Sequence, residues 1–188
     1  MAGKLVQVNK TVASGTPATI QVTGINSDDV YLVTARGLIP SSDDTIAWRV
    51  TKSGTIQTDS EYDNARKDMP TSASFQNNSA TNQTSVTNAT IESTGNGFNG
   101  LFYLYNFNSS SEFSFATFEN VSWVSTPQAF GGNGGFAHTV ASASDGLSFF
   151  FTGGATFNNG AEIVLYKVVW LWVMNLDIYQ KAQNKVLE

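Results

Sequence analysis

The chain carries one histidine, His138, and no cysteine. Nucleophilic hydrolysis would need that imidazole held between a nucleophile and an orienting carboxylate. His138 instead sits in the alternating run Phe136–Val140, with no nucleophile-elbow spacing, so a hydrogen-bonded or rim histidine is expected. Paired carboxylates could cleave glycosides. Glu92, Glu112, Glu119 and Glu162 border aromatic runs, but no spacing singles out a pair. Asp28-Asp29 and Asp43-Asp44 are oxygen-rich, yet Ca²⁺ takes six to eight oxygens and no spaced Asp-x-Asp-x-Asp is present. They are expected to be turn residues that cap local N–H groups. Gly95-x-Gly97-x-x-Gly100 matches a dinucleotide fingerprint by letter, but Leu101-Phe-Tyr-Leu-Tyr after it reads as a strand where a helix is needed. Gly131-Gly-Asn-Gly-Gly135 lacks the Lys-Ser/Thr of a phosphate loop and is expected to be a flexible connection between strands. Catalytic residues, metal and cofactor are all expected to be absent, and the chain is read as a non-enzyme.

The 188 residues suffice for one core, with 41% hydrophobic and only 13% charged residues. Net charge is −5, without the basic excess of a nucleic-acid binder. Small polar residues replace charge: 20 Ser, 20 Thr and 17 Asn. These types disfavour helix interiors and favour turns and strand faces. The N-terminus has no apolar run of signal-peptide type, so synthesis in a cytoplasm is expected. The longest apolar stretch, Ile163–Met174, contains Lys167 and is too short to span a bilayer, so no membrane partner is expected. Six Asn-x-Ser/Thr sites, at Asn9, Asn77, Asn82, Asn88, Asn108 and Asn120, are read as a consequence of composition.

Period-two alternation recurs along the chain, at Ala18–Val22, Ile46–Val50, Phe113–Ala116, Phe136–Val140 and Leu147–Phe151. Val30–Ala35 and Ile163–Val168 are more continuous runs. Leu101–Phe107 is apolar on both faces, as in a strand buried on both sides. Asp145-Gly146 and Asn159-Gly160 are hairpin-type dipeptides. The expected fold is all-β, an antiparallel jelly-roll-type β-sandwich over residues 1–169. Asp68–Thr94 reads as a long polar surface excursion with a weak strand near Ser85–Ile91. Residues 170–188 read as a short helical or extended tail. Its Trp170, Trp172, Met174 and Tyr179 fit either a last core strand or a docking surface for a neighbouring subunit.

Three segments carry a family resemblance. Tyr31-Leu-Val-Thr-Ala-Arg-Gly-Leu-Ile-Pro40-Ser-Ser-Asp-Asp leads into Trp48-Arg-Val and on to Tyr62. Asn99-Gly-Leu-Phe-Tyr-Leu-Tyr-Asn-Phe-Asn-Ser-Ser forms a central strand and Asn-rich turn. A Phe-rich strand from Gly146, a Gly153-Gly154 turn and Gly160 lead to a final Leu165-Tyr166 strand. Over roughly residues 20–168 the chain resembles small jelly-roll virion proteins of tailed bacteriophages, often called tail-fibre-like, especially marine and cyanobacterial ones. Related proteins commonly stop soon after the Leu-Tyr strand, whereas this chain continues to Glu188.

The resemblance implies a virion component of fibre, knob or decoration type, located on the virion. Its partners would be other virion proteins and further copies of itself. Closed symmetry is the default for such oligomers, and a trimer suits a virion. A second reading is a host receptor- or carbohydrate-binding module. Its groove would use loops 68–94 and 127–135, with Trp123 or Phe130 stacking on a host surface glycan. A third reading is a polysaccharide depolymerase.

Overall fold

The computed structural model describes residues 2–126 and 128–171. Thirteen strands follow one another: β1 (Ala2–Val12), β2 (Thr19–Thr23), β3 (Tyr31–Leu38), β4 (Asp44–Lys52), β5 (Thr55–Ile56), β6 (Tyr62–Pro70), β7 (Gln76–Gln83), β8 (Val86–Ile91), β9 (Phe98–Tyr105), β10 (Ser114–Val124), β11 (Gln128–His138), β12 (Gly146–Phe151) and β13 (Glu162–Leu171). Every ladder among them is antiparallel. The all-β antiparallel expectation therefore holds.

The main path runs β1-β13-β3-β9-β10-β8-β4-β12-β2. Its ends approach each other, so the sheet is nearly closed into a barrel. At this seam side chains replace a backbone ladder. Asn9 Nδ2 donates to the Thr23 carbonyl at 2.9 Å, and Thr11 Oγ1 donates to the Gln21 carbonyl at 2.6 Å. The path branches at β10. One edge pairs with β9 as far as Ser122–Phe98 and then meets β8 through Val124–Ile91. The other edge carries β11 along its whole length, followed by β6 and the edge strand β7.

Alternation explains the core. In β10, Ser114, Ala116, Phe118, Asn120, Ser122 and Val124 are buried, and the residues between them are exposed or half-buried. Trp48 of β4 stands at the centre. Its ring lies edge-on to Phe102 and Phe118, at 5.0 and 5.1 Å between centroids. Phe98, Phe136 and Phe149 surround it at 6.2–6.5 Å. Rings in such offset and edge-to-face geometry contribute beyond the area they bury.

Three local expectations need correction. Asp68–Thr94 is not a loop. It contains the end of β6 and all of β7 and β8. The β6–β7 hairpin forms the free end of the branch, so β7 is polar on both faces and shows no alternation. Val86–Ile91 is the strand expected nearby. Gly131–Gly135 is not a connection either, since it lies in the middle of β11 with a partner on each side. Leu101–Tyr105 is buried on one face only. Phe102 and Leu104 enter the core while Leu101, Tyr103 and Tyr105 face solvent. Gly97, with φ of +57°, does precede a strand, as expected for a glycine turn.

The boundary expected at residue 169 falls inside β13, where Trp170 stands opposite Gly3 of β1. Trp172, Met174 and Tyr179 lie outside the described residues.

Candidate functional site

The register of β9, β10, β11 and β6 sets three rows of residues on the face that points away from the core. Tyr105, Phe115, Ala137 and Asp63 form one row. Tyr103, Thr117, Gly135 and Ala65 form the next. Leu101, Glu119, Asn133 and Lys67 form the third. One side of this face is aromatic and apolar. Leu101, Tyr103, Tyr105 and Phe115 remain 37–43% exposed, and Phe113 stacks beside Phe115 at 6.5 Å. Contiguous exposed apolar surface of this kind makes the face a candidate interaction site.

The middle of the face is bare. β11 presents Gly131, Asn133, Gly135 and Ala137 outward, and beside it β6 presents Ala65. With so little side chain on the floor, three linked depressions open across it. One of about 520 Å³ lies between Leu101, Tyr103 and Asn133. One of about 590 Å³ lies between Tyr105, Phe115 and the Ser79–Thr81 stretch of β7. One of about 410 Å³ is bounded by Lys67, Asn77 and Asn133. A fourth, of about 470 Å³, continues past Leu101 and Glu119 towards Arg36 of β3. Charge here is mixed. Glu119, Asp63 and Lys67 point out, Lys67 Nζ lies 5.8 Å over the Phe75 ring, and Arg36 is paired with Glu162 at 3.3 Å.

Beneath the bare strip lies a polar layer that the alternate glycines accommodate. Arg66 Nε donates to Asp68 Oδ1 at 2.9 Å, and its Nη1 donates to the Thr87 carbonyl at 2.7 Å. Asn78 Nδ2 also donates to Asp68. Asn88 and Asn120 exchange amide hydrogen bonds at 3.3 and 3.5 Å. A Cβ on Gly132 would stand 2.7 Å from Asn120 Oδ1, and one on Gly134 would fall 2.6 Å from Arg66 Cβ. These two glycines are demanded by packing. Gly131 is different, because a Cβ there would meet nothing closer than Met69 Cε at 3.5 Å.

The residues singled out by sequence are dispersed. Trp123 and Phe130 are both half-buried and occupy adjacent strands of the β10–β11 hairpin. Trp123 is opposite Ala129 and Phe130 is opposite Ser122, so consecutive register positions send them to opposite faces. They do not share a stacking platform.

His138 is buried against the Tyr62 ring, 5.1 Å between centroids, with Nε2 3.2 Å from Glu61 Oε2. Burial pushes its pKa down, and the Glu61 carboxylate partly opposes this. Tyr62 accepts a hydrogen bond from Val50 N–H at 3.1 Å and donates to the Gln57 carbonyl at 2.9 Å. Its phenol is pushed up by burial.

The acidic pairs work as turn clamps. Asp43 Oδ1 accepts from the Ser93 N–H and hydroxyl at 2.9 and 2.8 Å, which holds its carboxyl below the usual range. Asp29 is lowered by its pairing with Lys167 and by Ser27. Glu162 is lowered by Lys10 and Arg36. Among the described residues no group of three His, Asp or Glu side chains could hold a metal ion.

Sequence reasoning missed the outer face. Its signal was the doubly apolar run Leu101–Tyr105, which fits two-sided burial and one-sided exposure equally well. Comparison with protein-family models and with curated proteins finds no match for this chain.

Proposed function

We propose that the chain is a non-enzymatic structural protein of a tailed-bacteriophage virion, a jelly-roll-type body that assembles with neighbouring virion proteins and with copies of itself. The family resemblance supplies the class. The observation that supports assembly is β1. It is an eleven-residue strand at the end of the main path, and Leu5, Val6, Val8 and Val12 are 38–51% exposed on it. Side-chain hydrogen bonds tie β1 to β2 at Asn9 and Thr11, which leaves the Leu5–Val6 end as an open apolar edge of the kind natural proteins blunt or cover. β1 also pairs with the end of β13, which leads directly into the segment holding Trp172, Met174 and Tyr179. Edge strand and tail would form one contiguous assembly element.

Light scattering on the full chain tests this. A defined oligomer is expected for the native protein. A monomer is expected when Leu5 and Val8 are both replaced by Lys, and when the chain is ended after Leu171. A monomeric native protein would count against the reading, and so would an oligomer indifferent to both changes.

A further inference from the structure

We infer that the outer face of β9, β10, β11 and β6 binds a neutral, hydroxyl-rich polysaccharide lying across the strands. This site is separate from the assembly element and does not depend on it. The depressions form a track from Arg36 on β3 to Asn77 on β7. That crosses five strand spacings, about 24 Å, so the track suits an extended chain better than a compact ligand. Its wall supplies Tyr103, and the adjoining depression that shares Thr117 supplies Tyr105 and Phe115; their rings offer flat apolar faces to the C–H faces of sugar rings. Its floor and far side supply uncharged hydrogen-bonding groups, namely Thr117, Asn133, Asn77 and Ser79. A few placed polar groups among aromatic surface is the composition of an oriented ligand site.

Charge decides the class of polymer. Glu119 and Asp63 oppose Lys67, Arg66 is paired with Asp68, and Arg36 shares the Glu162 carboxylate with Lys10. Nothing here builds the basic stripe that a nucleic acid or acidic polymer requires. A second protein copy fits poorly as well. A specific protein interface packs to interior density at its core, whereas this face is broken by depressions of about 410–590 Å³.

The test is affinity electrophoresis of the full chain in gels containing dextran, a β-glucan, a galactan or a mannan. At least one polysaccharide is expected to slow migration. Tyr103→Ala and Phe115→Ala, both at exposed positions, are each expected to weaken that effect about tenfold. Lys52→Ala, at the end of β4 and outside the track, should leave it unchanged. Circular dichroism checks that the variants stay folded. Migration unaffected by all four polymers would overturn the inference, as would retardation that survives both aromatic substitutions. A change in solution mass of the aromatic variants, without polysaccharide retardation in the native protein, would assign the face to a protein partner instead.

Discussion

Asp44 and Gly153 are fitted to one another. Asp44 Oδ1 accepts the Gly153 N–H at 2.8 Å, and a Cβ on Gly153 would stand 2.9 Å from both carboxylate oxygens. The other oxygen accepts the Ala155 N–H at 3.0 Å, and Oδ1 also takes the Thr45 N–H at 2.6 Å. One buried carboxylate thus ties the start of β4 to the turn after β12. Removing it orphans backbone donors in a largely dry place, and each such group costs about 1–3 kcal/mol. Asp44→Ala is expected to lower stability by about 2–4 kcal/mol, with Gly153→Ala close behind. Urea unfolding measures both, and a loss below about 1 kcal/mol for each would refute the clamp.

Acid should weaken the protein through His138. The side chain is 1% exposed, and burial holds its folded pKa below the ordinary value of about 6.5. The unfolded chain therefore takes up the proton first as pH falls. Stability is unaffected by this group above about pH 6.5 and declines below it, down to the folded pKa. Glu61 opposes the shift, so Glu61→Gln is expected to deepen the decline and His138→Phe to flatten it. The readout is the urea midpoint between pH 7.5 and 5. The lowered carboxyls of Asp29, Asp43 and Glu162 act at lower pH, where their stabilising contribution is lost as they protonate.

Trp48 should dominate the core. Its indole is fully buried among five phenylalanine rings, yet Nε1 has no hydrogen-bond partner. Trp48→Ala is expected to cost about 3–5 kcal/mol. Trp48→Phe is expected to cost only about 1–2 kcal/mol, because the cavity it leaves is offset by removal of an unsatisfied donor. Thermal unfolding of the pair checks the ratio.

The glycines of β11 should separate into two classes. Gly134→Ala drives a methyl into the Ala65 carbonyl and Arg66 and is expected to cost about 2–3 kcal/mol. Gly131→Ala is expected to be neutral, or stabilising by up to about 1 kcal/mol. Equal effects at the two positions would dissolve the distinction between packing glycines and surface glycines.

The all-β antiparallel class was readable because alternation and turn chemistry are local. Phe136, His138 and Val140 alternate whatever they pair with, and β8 could be found from Val86, Asn88 and Ile91. β7 and the middle of β11 were not readable. Strands such as Gln76–Gln83 are held by backbone pairing to β6, and nothing in Asn-Asn-Ser-Ala-Thr advertises a partner. Gly131–Gly135 looked mobile because its rigidity is supplied by Val121, Asn120 and Met69 on neighbouring strands. The outer face needed the register itself. Only once Tyr103 is set beside Thr117 and Gly135 does an aromatic wall acquire a floor.

Among the described residues the first strand pairs with the last, β1 with β13, across about 150 intervening residues. On a ribosome working at roughly 5–20 residues per second, β1 waits about 8–30 s for its partner to be made. During that interval Leu5, Val6, Val8 and Val12 have no ladder to join. β1 therefore stays open and sticky until β13 is made, and the sheet takes its nearly closed form only after translation has passed Leu171.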